Sequence, residues 1–268
     1  MERDSNAASR EEMREMGRLE SKVALVTGAS SGMGYQIAKL FAKEGASVVV
    51  IARRKERLAE LIAQIEADGG KGIAVAGDVT SEDDVQNAIK MAVQTFGKLD
   101  IVVNNAGILD KMKPVTELDD DLWNAVININ LTGPMRFFRA AIPEMQKIGG
   151  GAFVTVSSLG GLCGARAGAA YTASKHGVLG LAKNVAFMYA NKNIRSNVIA
   201  PGGVNTEIGA DTAGVSEMGM ERCQLGMATM PRMGEPEEIA RLALFLASDE
   251  ASLINGAVVT ADAGWGAY

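Results

Sequence analysis

The sequence predicts a doubly wound α/β domain, a parallel sheet of about seven strands with helices on both faces. Three observations carry this. From Lys22 onward short apolar runs alternate with stretches of helical period, the pattern of strands joined by crossover helices. A glycine-rich turn joins the first run to the first helical stretch. The 268 residues, 47% of them hydrophobic, suffice for one large core, and no repeat or linker divides them.

In order, the predicted strands cover residues 23–26, 48–51, 72–75, 99–103, 152–156, 194–199 and 257–260. Ile37, Leu40 and Phe41 recur at helical spacing after the first run, and Leu58, Leu61, Ile62 and Ile65 after the second. After the third, Val85, Ala88, Ile89, Ala92, Val93 and Phe96 form one apolar stripe. Thr80 with Asp83 resembles a capping box opening that helix, and Gly97 closes it. Residues 205–233 break the alternation. They carry Met218, Met220, Met227, Met230 and Met233, with Gly209, Gly214, Gly219 and Gly226 between them. Adaptable methionines with glycine hinges suit a substrate lid closing over an apolar ligand; the alternative is a helical pair packed on the core. Residues 1–18, rich in Glu, Arg, Ser and Asn, are expected to be a flexible or helical extension of a single domain spanning 19–268.

Charge and composition exclude several classes. A net charge of −5, with arginines scattered among acids, offers no basic surface for a phosphate backbone, so nucleic acid is not an expected partner. Cys163 and Cys223 are too few for a disulfide framework and lack metal-ligand spacing; no metal site is expected. There is no apolar run of roughly 18 residues for a membrane span, and the charged N-terminus is unlike a signal peptide. A cytoplasmic protein with reduced thiols is the expectation.

Thr27-Gly28-Ala29-Ser30-Ser31-Gly32-Met33-Gly34 directly follows the first strand. Such a turn lets backbone approach a pyrophosphate at a helix N-terminus, with Gly28, Ser30, Ser31, Gly32, Met33 and Gly34 as the contacts. At the end of the second strand, where an acidic residue would select the unphosphorylated dinucleotide, stand Ala52, Arg53 and Arg54. Guanidinium groups there favour NADP(H) over NAD(H). Asp78, with Val79 beside it, is positioned either to accept from an adenine amino group or to form a turn. Asn104-Asn105-Ala106-Gly107 ends the fourth strand, where Asn105, Ala106 and Gly107 would border the ligand and amide side chains can tie strands together.

Tyr171 and Lys175 lie four residues apart, on one helical face, with Ser158 thirteen residues before the tyrosine. A neighbouring positive charge favours the phenolate, so this phenol can exchange a proton with an alcohol or ketone. The glycine turn, Asn104 to Gly107, Ser158, the Tyr-x-x-x-Lys and a Pro-Gly after the sixth strand occur in the order found in short-chain dehydrogenases/reductases, which the chain resembles from Leu19 to Tyr268. The resemblance implies a Rossmann fold and a catalytic group of Asn130, Ser158, Tyr171 and Lys175. It implies that Tyr171 acts as acid or base, Ser158 holds the reacting oxygen, Lys175 tunes Tyr171 and binds the nicotinamide ribose, and Asn130 anchors a water beside the lysine. Pro201, Gly202, Val204 and Thr206 would cradle the nicotinamide.

Met33, commonly Ile in the family, and Asp262-Ala263-Gly264, commonly Asp-Gly-Gly, depart from the family pattern without touching this chemistry. His176, the one histidine, points to another helix face and is expected to be structural. An apolar alcohol or ketone such as a hydroxysteroid or bile acid is the expected substrate, from the methionine-rich lid, from Leu159 and Leu162 beside Ser158, and from a C-terminal Asp-x-Gly-Trp that resembles hydroxysteroid and alcohol dehydrogenases of the family. A 3-oxoacyl-(acyl-carrier-protein) reductase is the main alternative; a non-catalytic NADP-binding regulator is a second, and it would not need the phenol. The resemblance further implies a homotetramer, or else a homodimer, pairing long helices over residues 122–147 and 170–191.

Overall fold

The computed structural model describes residues 17–210 and 212–267, so most of the expected extension over 1–18 lies outside the described residues. Seven strands form one all-parallel sheet: β1 (Val23–Thr27), β2 (Ser47–Ala52), β3 (Lys71–Ala76), β4 (Ile101–Asn104), β5 (Gly151–Val156), β6 (Ile194–Pro201) and β7 (Val258–Ala261). Their order is β3-β2-β1-β4-β5-β6-β7. Each expected strand is found, with bounds moved by a residue or two.

Alternation within the strands assigns the two faces. Ala24 and Val26 of β1, with Val48 and Val50 of β2, meet α1 (Gly32–Lys43), α2 (Lys55–Ala67) and α8 (Pro236–Ala247) through Ile37, Phe41, Leu61 and Leu244. Leu25 and Val49 face the other way. With Val102 and Phe153 they meet α3 (Glu82–Phe96), α5 (Gly133–Lys147) and α6 (Ala169–Met188). Both faces of the central strands are therefore buried, which is why these strands read as continuous apolar runs. Strand order reverses between β1 and β4, so a crevice opens beyond their carboxyl ends.

Three local expectations are corrected. The cap of α3 is Ser81, whose Oγ accepts the Asp84 N–H at 3.2 Å, because the Thr80 hydroxyl is already engaged in donating to Asp78 Oδ1. Gly97 does close the helix, at φ 82°. The long helix expected over 122–147 is divided into α4 (Asp120–Ile127) and α5 by a π-helical turn, Asn128–Thr132. The Gly133 N–H reaches back five residues to the Asn128 carbonyl, and Pro134 has no N–H to continue an α-helical ladder. The second long helix, α6, ends at Met188 and is followed by a 3-10 turn, Ala190–Lys192.

Within residues 205–233 there is one helix, α7 (Glu217–Met227), preceded by a 3-10 turn, Glu207–Gly209. Gly219 and Gly226 are closely packed: a Cβ on the first would overlap the Met112 carbonyl oxygen, and one on the second the Arg166 guanidinium. A Cβ added at Gly209 or Gly214 would meet nothing within 4 Å among the described residues.

Candidate active site

The turn between β1 and α1 is held against the end of β4. A Cβ on Gly28, whose φ is 65°, would come within 2.8 Å of Ala106 Cα, and one on Gly34 would overlap Asn105 Nδ2. Only glycine permits that approach. Asn105 Nδ2 donates to the Thr27 carbonyl at 2.9 Å, and the Thr27 hydroxyl accepts the N–H groups of Asn105 and Ala106. The expected strand tie is made by Asn105. Asn104 is different: its buried amide faces Thr155 across the β4–β5 register, and neither side chain has a hydrogen-bond partner among the described residues.

Above this turn lies a cleft of about 250 Å³. Gly28, Ser30, Ser31, Gly32 and Met33 line it on one side, with Arg53, Arg54, Asp78 and Val79 at the β2 and β3 ends. Asn105, Ala106, Gly107, Thr206 and Glu207 complete its wall. The Ser31 side chain does not cap α1, which leaves first-turn N–H groups without a side-chain acceptor at the cradle. These features fit a pyridine dinucleotide: glycine backbone, helix N-terminus, hydroxyls and two arginines converge on one cleft. Asp78 lines the cleft and also forms a turn, its Oδ1 accepting from the Thr80 N–H and hydroxyl at 2.8 Å each. Pro201, Gly202 and Val204 stand at the end of β6 and beyond it, where Gly202 donates to the Ala261 carbonyl and Val204 bridges to Gly234; they are outside the cleft lining, unlike Thr206.

The four candidate catalytic residues gather past the Gly107 end of the cleft. Tyr171 and Lys175 come from α6, Ser158 from the end of β5 and Asn130 from the π-helical turn. The Tyr171 ring and the Ser158 Oγ both lie within 3.4 Å of the point a Cβ of Gly160 would occupy, and the Ser158 Oγ accepts the Gly160 N–H at 3.0 Å. Lys175 Nζ donates to the Val156 carbonyl at 3.0 Å and lies 5.4 Å from the centre of the Tyr171 ring. Asn130 exchanges hydrogen bonds with the peptide of Ile108, at 2.9 and 3.0 Å, and donates to Ser174 Oγ at 3.1 Å. Its Oδ1 and the Lys175 Nζ both lie within 3.5 Å of the point a Cβ of Gly107 would occupy, so amide and ammonium meet at the cleft's end.

Burial dominates the electrostatics. It pushes the Tyr171 phenol up to about 12; the Ser158 hydrogen bond opposes this and the Asp110 carboxylate adds to it. Burial also brings the Lys175 ammonium down to about 8. Burial thus dominates, and Tyr171 is held protonated at neutral pH.

Sequence reasoning missed two acidic residues. Asp110, fully buried, accepts the N–H groups of Gly168 and Tyr171 at 3.0 and 2.8 Å. Glu207 crosses the cleft to Arg54 and Arg57. The available signals were a lone carboxylate in the apolar stretch after Gly107 and an acid directly after Thr206. His176 is exposed, its Nδ1 against the Thr172 carbonyl, consistent with a structural place. Among the described residues there is no cluster of potential metal ligands and no helix long and apolar enough to cross a membrane.

Comparison with known proteins gives a consistent picture. The family model described as Enoyl-(Acyl carrier protein) reductase matches residues 28–266. The 3beta-hydroxysteroid dehydrogenase 2 of Eggerthella lenta is 45% identical over 251 residues, covering 93% of this chain and 96% of that protein. The 3-oxoacyl-[acyl-carrier-protein] reductase of Thermotoga maritima is 40% identical over 247 residues, covering 92% and 98%. Among solved structures, levodione reductase superposes with a TM-score of 0.84 at 32% identity, covering 93% of this chain and 99% of that one.

Proposed function

The chain belongs to the short-chain dehydrogenase/reductase family and is an NAD(P)-dependent oxidoreductase of the CH–OH/C=O pair, and from that premise we propose that it interconverts an apolar secondary alcohol and its ketone, of hydroxysteroid or bile-acid type, with NADP(H). The observation that carries the chemistry is the Ser158 hydroxyl and the Tyr171 ring set together beside Gly160, next to a buried lysine at the end of a dinucleotide-shaped cleft. Tyr171, protonated at neutral pH, gives its proton to the carbonyl oxygen in reduction and takes it back in oxidation. Ser158 donates a hydrogen bond to the same oxygen and fixes its place as charge develops there. Lys175 stands beside Gly107 at the end of the cleft, where it would hold the nicotinamide ribose and, as a neighbouring positive charge, favour the phenolate left when Tyr171 gives up its proton. Asn130 keeps the π-helical turn and the Ile108 peptide in register with that lysine. The nicotinamide, when bound, supplies or accepts the hydride.

NADP(H) is supported by Arg53 and Arg54 in the cleft and by the absence of an acid at Ala52. The steroid-like substrate is supported by the 45% identity to a hydroxysteroid dehydrogenase and by the methionine-rich segment containing α7. The 40% identity to a 3-oxoacyl thioester reductase favours a second reading, acyl-thioester reduction by the same residues. Two free cysteines support a reducing compartment such as the cytoplasm. For assembly, exposed Phe187 and Met188 at the end of α6 and exposed Leu253 support a homotetramer or homodimer.

The deciding experiment measures kcat/KM on steroid ketones, acyl thioesters and small polar ketones with each cofactor, for wild type and Tyr171→Phe. Preference for steroid ketones with NADPH is the expected result, with a loss of about 10² to 10⁴ in kcat on removing the phenol. Faster turnover of acyl thioesters would transfer the assignment to the second reading.

A further inference from the structure

Two adjacent arginines of the cleft are in opposite states. Arg53 is exposed, lines the cleft and makes no ion pair or hydrogen bond among the described residues. Arg54 is fully engaged. Its Nε and Nη2 donate to Ser30 Oγ at 3.1 and 2.9 Å, Nη2 also to Ser31 Oγ at 2.7 Å, and Nη1 to Glu207 Oε2 at 2.9 Å. Arg57 Nη1 reaches both oxygens of the same carboxylate at 2.7 Å. The two guanidinium groups hold the Glu207 carboxyl down at about 2, Arg57 contributing most.

Ser30, Ser31 and Arg54 thus form part of an anion site inside the dinucleotide cleft, and the anion standing at its arginine is the chain's own carboxylate. A phosphate monoester presents the same kind of acceptor to a guanidinium fork, with more charge. Glu207 is delivered by the 3-10 turn Glu207–Gly209, directly after Thr206 and on the opposite wall from the end of β2. We propose that Glu207 is a specificity-determining residue, an internal competitor for the cofactor's 2′-phosphate: Arg53 engages the phosphate directly, and Arg54 does so only when the phosphate displaces Glu207. The proposal rests on the reading of NADP(H) as cofactor. Its consequence is that NADP(H) binds less tightly than two free arginines would allow, and that the margin over NAD(H) is set by residue 207 as well as by β2.

Calorimetric binding of adenosine 2′,5′-bisphosphate and of 5′-AMP, without turnover, tests this in wild type, Glu207→Gln, Arg53→Ala and Arg54→Ala. Glu207→Gln is expected to tighten the bisphosphate by up to about fivefold, the range open to exposed ion pairs, and to leave 5′-AMP unchanged. Weaker binding of both ligands by Glu207→Gln would overturn the proposal, since Glu207 would then be a strap closing on any dinucleotide; so would an unchanged preference. If wild type prefers the bisphosphate and loses that preference in Arg53→Ala while Glu207→Gln has no effect, only the competitor role falls. If wild type binds the two ligands equally and neither arginine matters, the NADP(H) reading falls with it.

Discussion

The Asp110 carboxylate accepts the backbone N–H of Tyr171 at 2.8 Å, from 61 residues earlier in the chain. Its other oxygen takes the N–H of Gly168, so a side chain from the loop after β4 caps the helix that carries the phenol. Gly168 itself has no side chain to perform that task, and a Cβ there would run into Asp110 and Lys113. The loop that follows Gly107 of the cleft therefore holds the first turn of α6, with Tyr171, in place.

Asp110→Asn should destabilise the fold and lower kcat without changing cofactor affinity. The carboxamide retains one acceptor but turns an NH₂ toward the second backbone N–H, leaving a buried donor unsatisfied at a cost of about 1 to 3 kcal/mol. Denaturant unfolding and steady-state rates check it. A variant as stable and as active as wild type would show that the cap is dispensable.

Lys175 gives a pH-dependent prediction. Its ammonium is brought by burial from 10.5 to about 8, so between those values the unfolded chain binds a proton that the folded one has released. Stability then rises with pH across that window, and the cost of the buried charge is fully present below about pH 8. Lys175→Met should be more stable than wild type by about 2 to 4 kcal/mol at pH 7. The advantage should shrink to nothing by about pH 10.5. Denaturant midpoints at pH 7, 9 and 10.5 measure it; a constant difference would contradict the assigned burial penalty. The same variant should lose turnover.

The sheet, its crossover helices and the Ser158, Tyr171, Lys175 group were legible because each is written locally: strands as apolar runs, helices as periodic stripes, the tyrosine and lysine as an i, i+4 pair. What was not legible depends on partners distant in sequence. Asp110 acts through a backbone N–H of α6, and backbone donors carry no sequence signature. Glu207 meets Arg54 and Arg57 from 153 and 150 residues away in the chain, and an acid after Thr206 carries no local sign of that pairing. Ser81 displaced Thr80 as a cap because Asp78 had claimed the threonine hydroxyl. The π-helical turn follows from the missing N–H of Pro134, a signal present in the sequence but outweighed by the surrounding helical period.

Assembly should depend on the end of α6. Phe187 is 83% exposed and Leu253 98%, and the Asn255 side chain ties the loop after Leu253 to the Ala186 carbonyl. Isolated exposed apolar residues are ordinary, but aromatic and aliphatic side chains grouped at one edge mark an association surface. Light scattering at micromolar concentration should give the mass of a tetramer or dimer, and Phe187→Glu should lower it. A monomeric wild type would refute the assembly.

Gly219→Ala should act on substrate and leave the cofactor alone. A Cβ at this position overlaps the Met112 carbonyl oxygen, in the loop that begins with the Gly107 cleft residue and contains Asp110. The same contact region includes the Ser216 N–H donating to the Lys111 carbonyl at 2.9 Å and the Ser216 hydroxyl capping α7 at Gly219. Backbone carbonyls cannot turn aside as a flexible side chain can, so α7 must move away. The overpacking should cost about 1 to 3 kcal/mol in the docking of α7. Because α7 contributes nothing to the lining of the dinucleotide cleft and is proposed as a wall of the substrate site, KM for a bulky apolar ketone should rise about five- to a hundredfold, following tenfold per 1.4 kcal/mol. Binding of NADPH should stay as in wild type. Equal loss of affinity for ketone and cofactor, or a KM effect as large for cyclohexanone as for a steroid ketone, would show that α7 does not form the wall of an apolar substrate site.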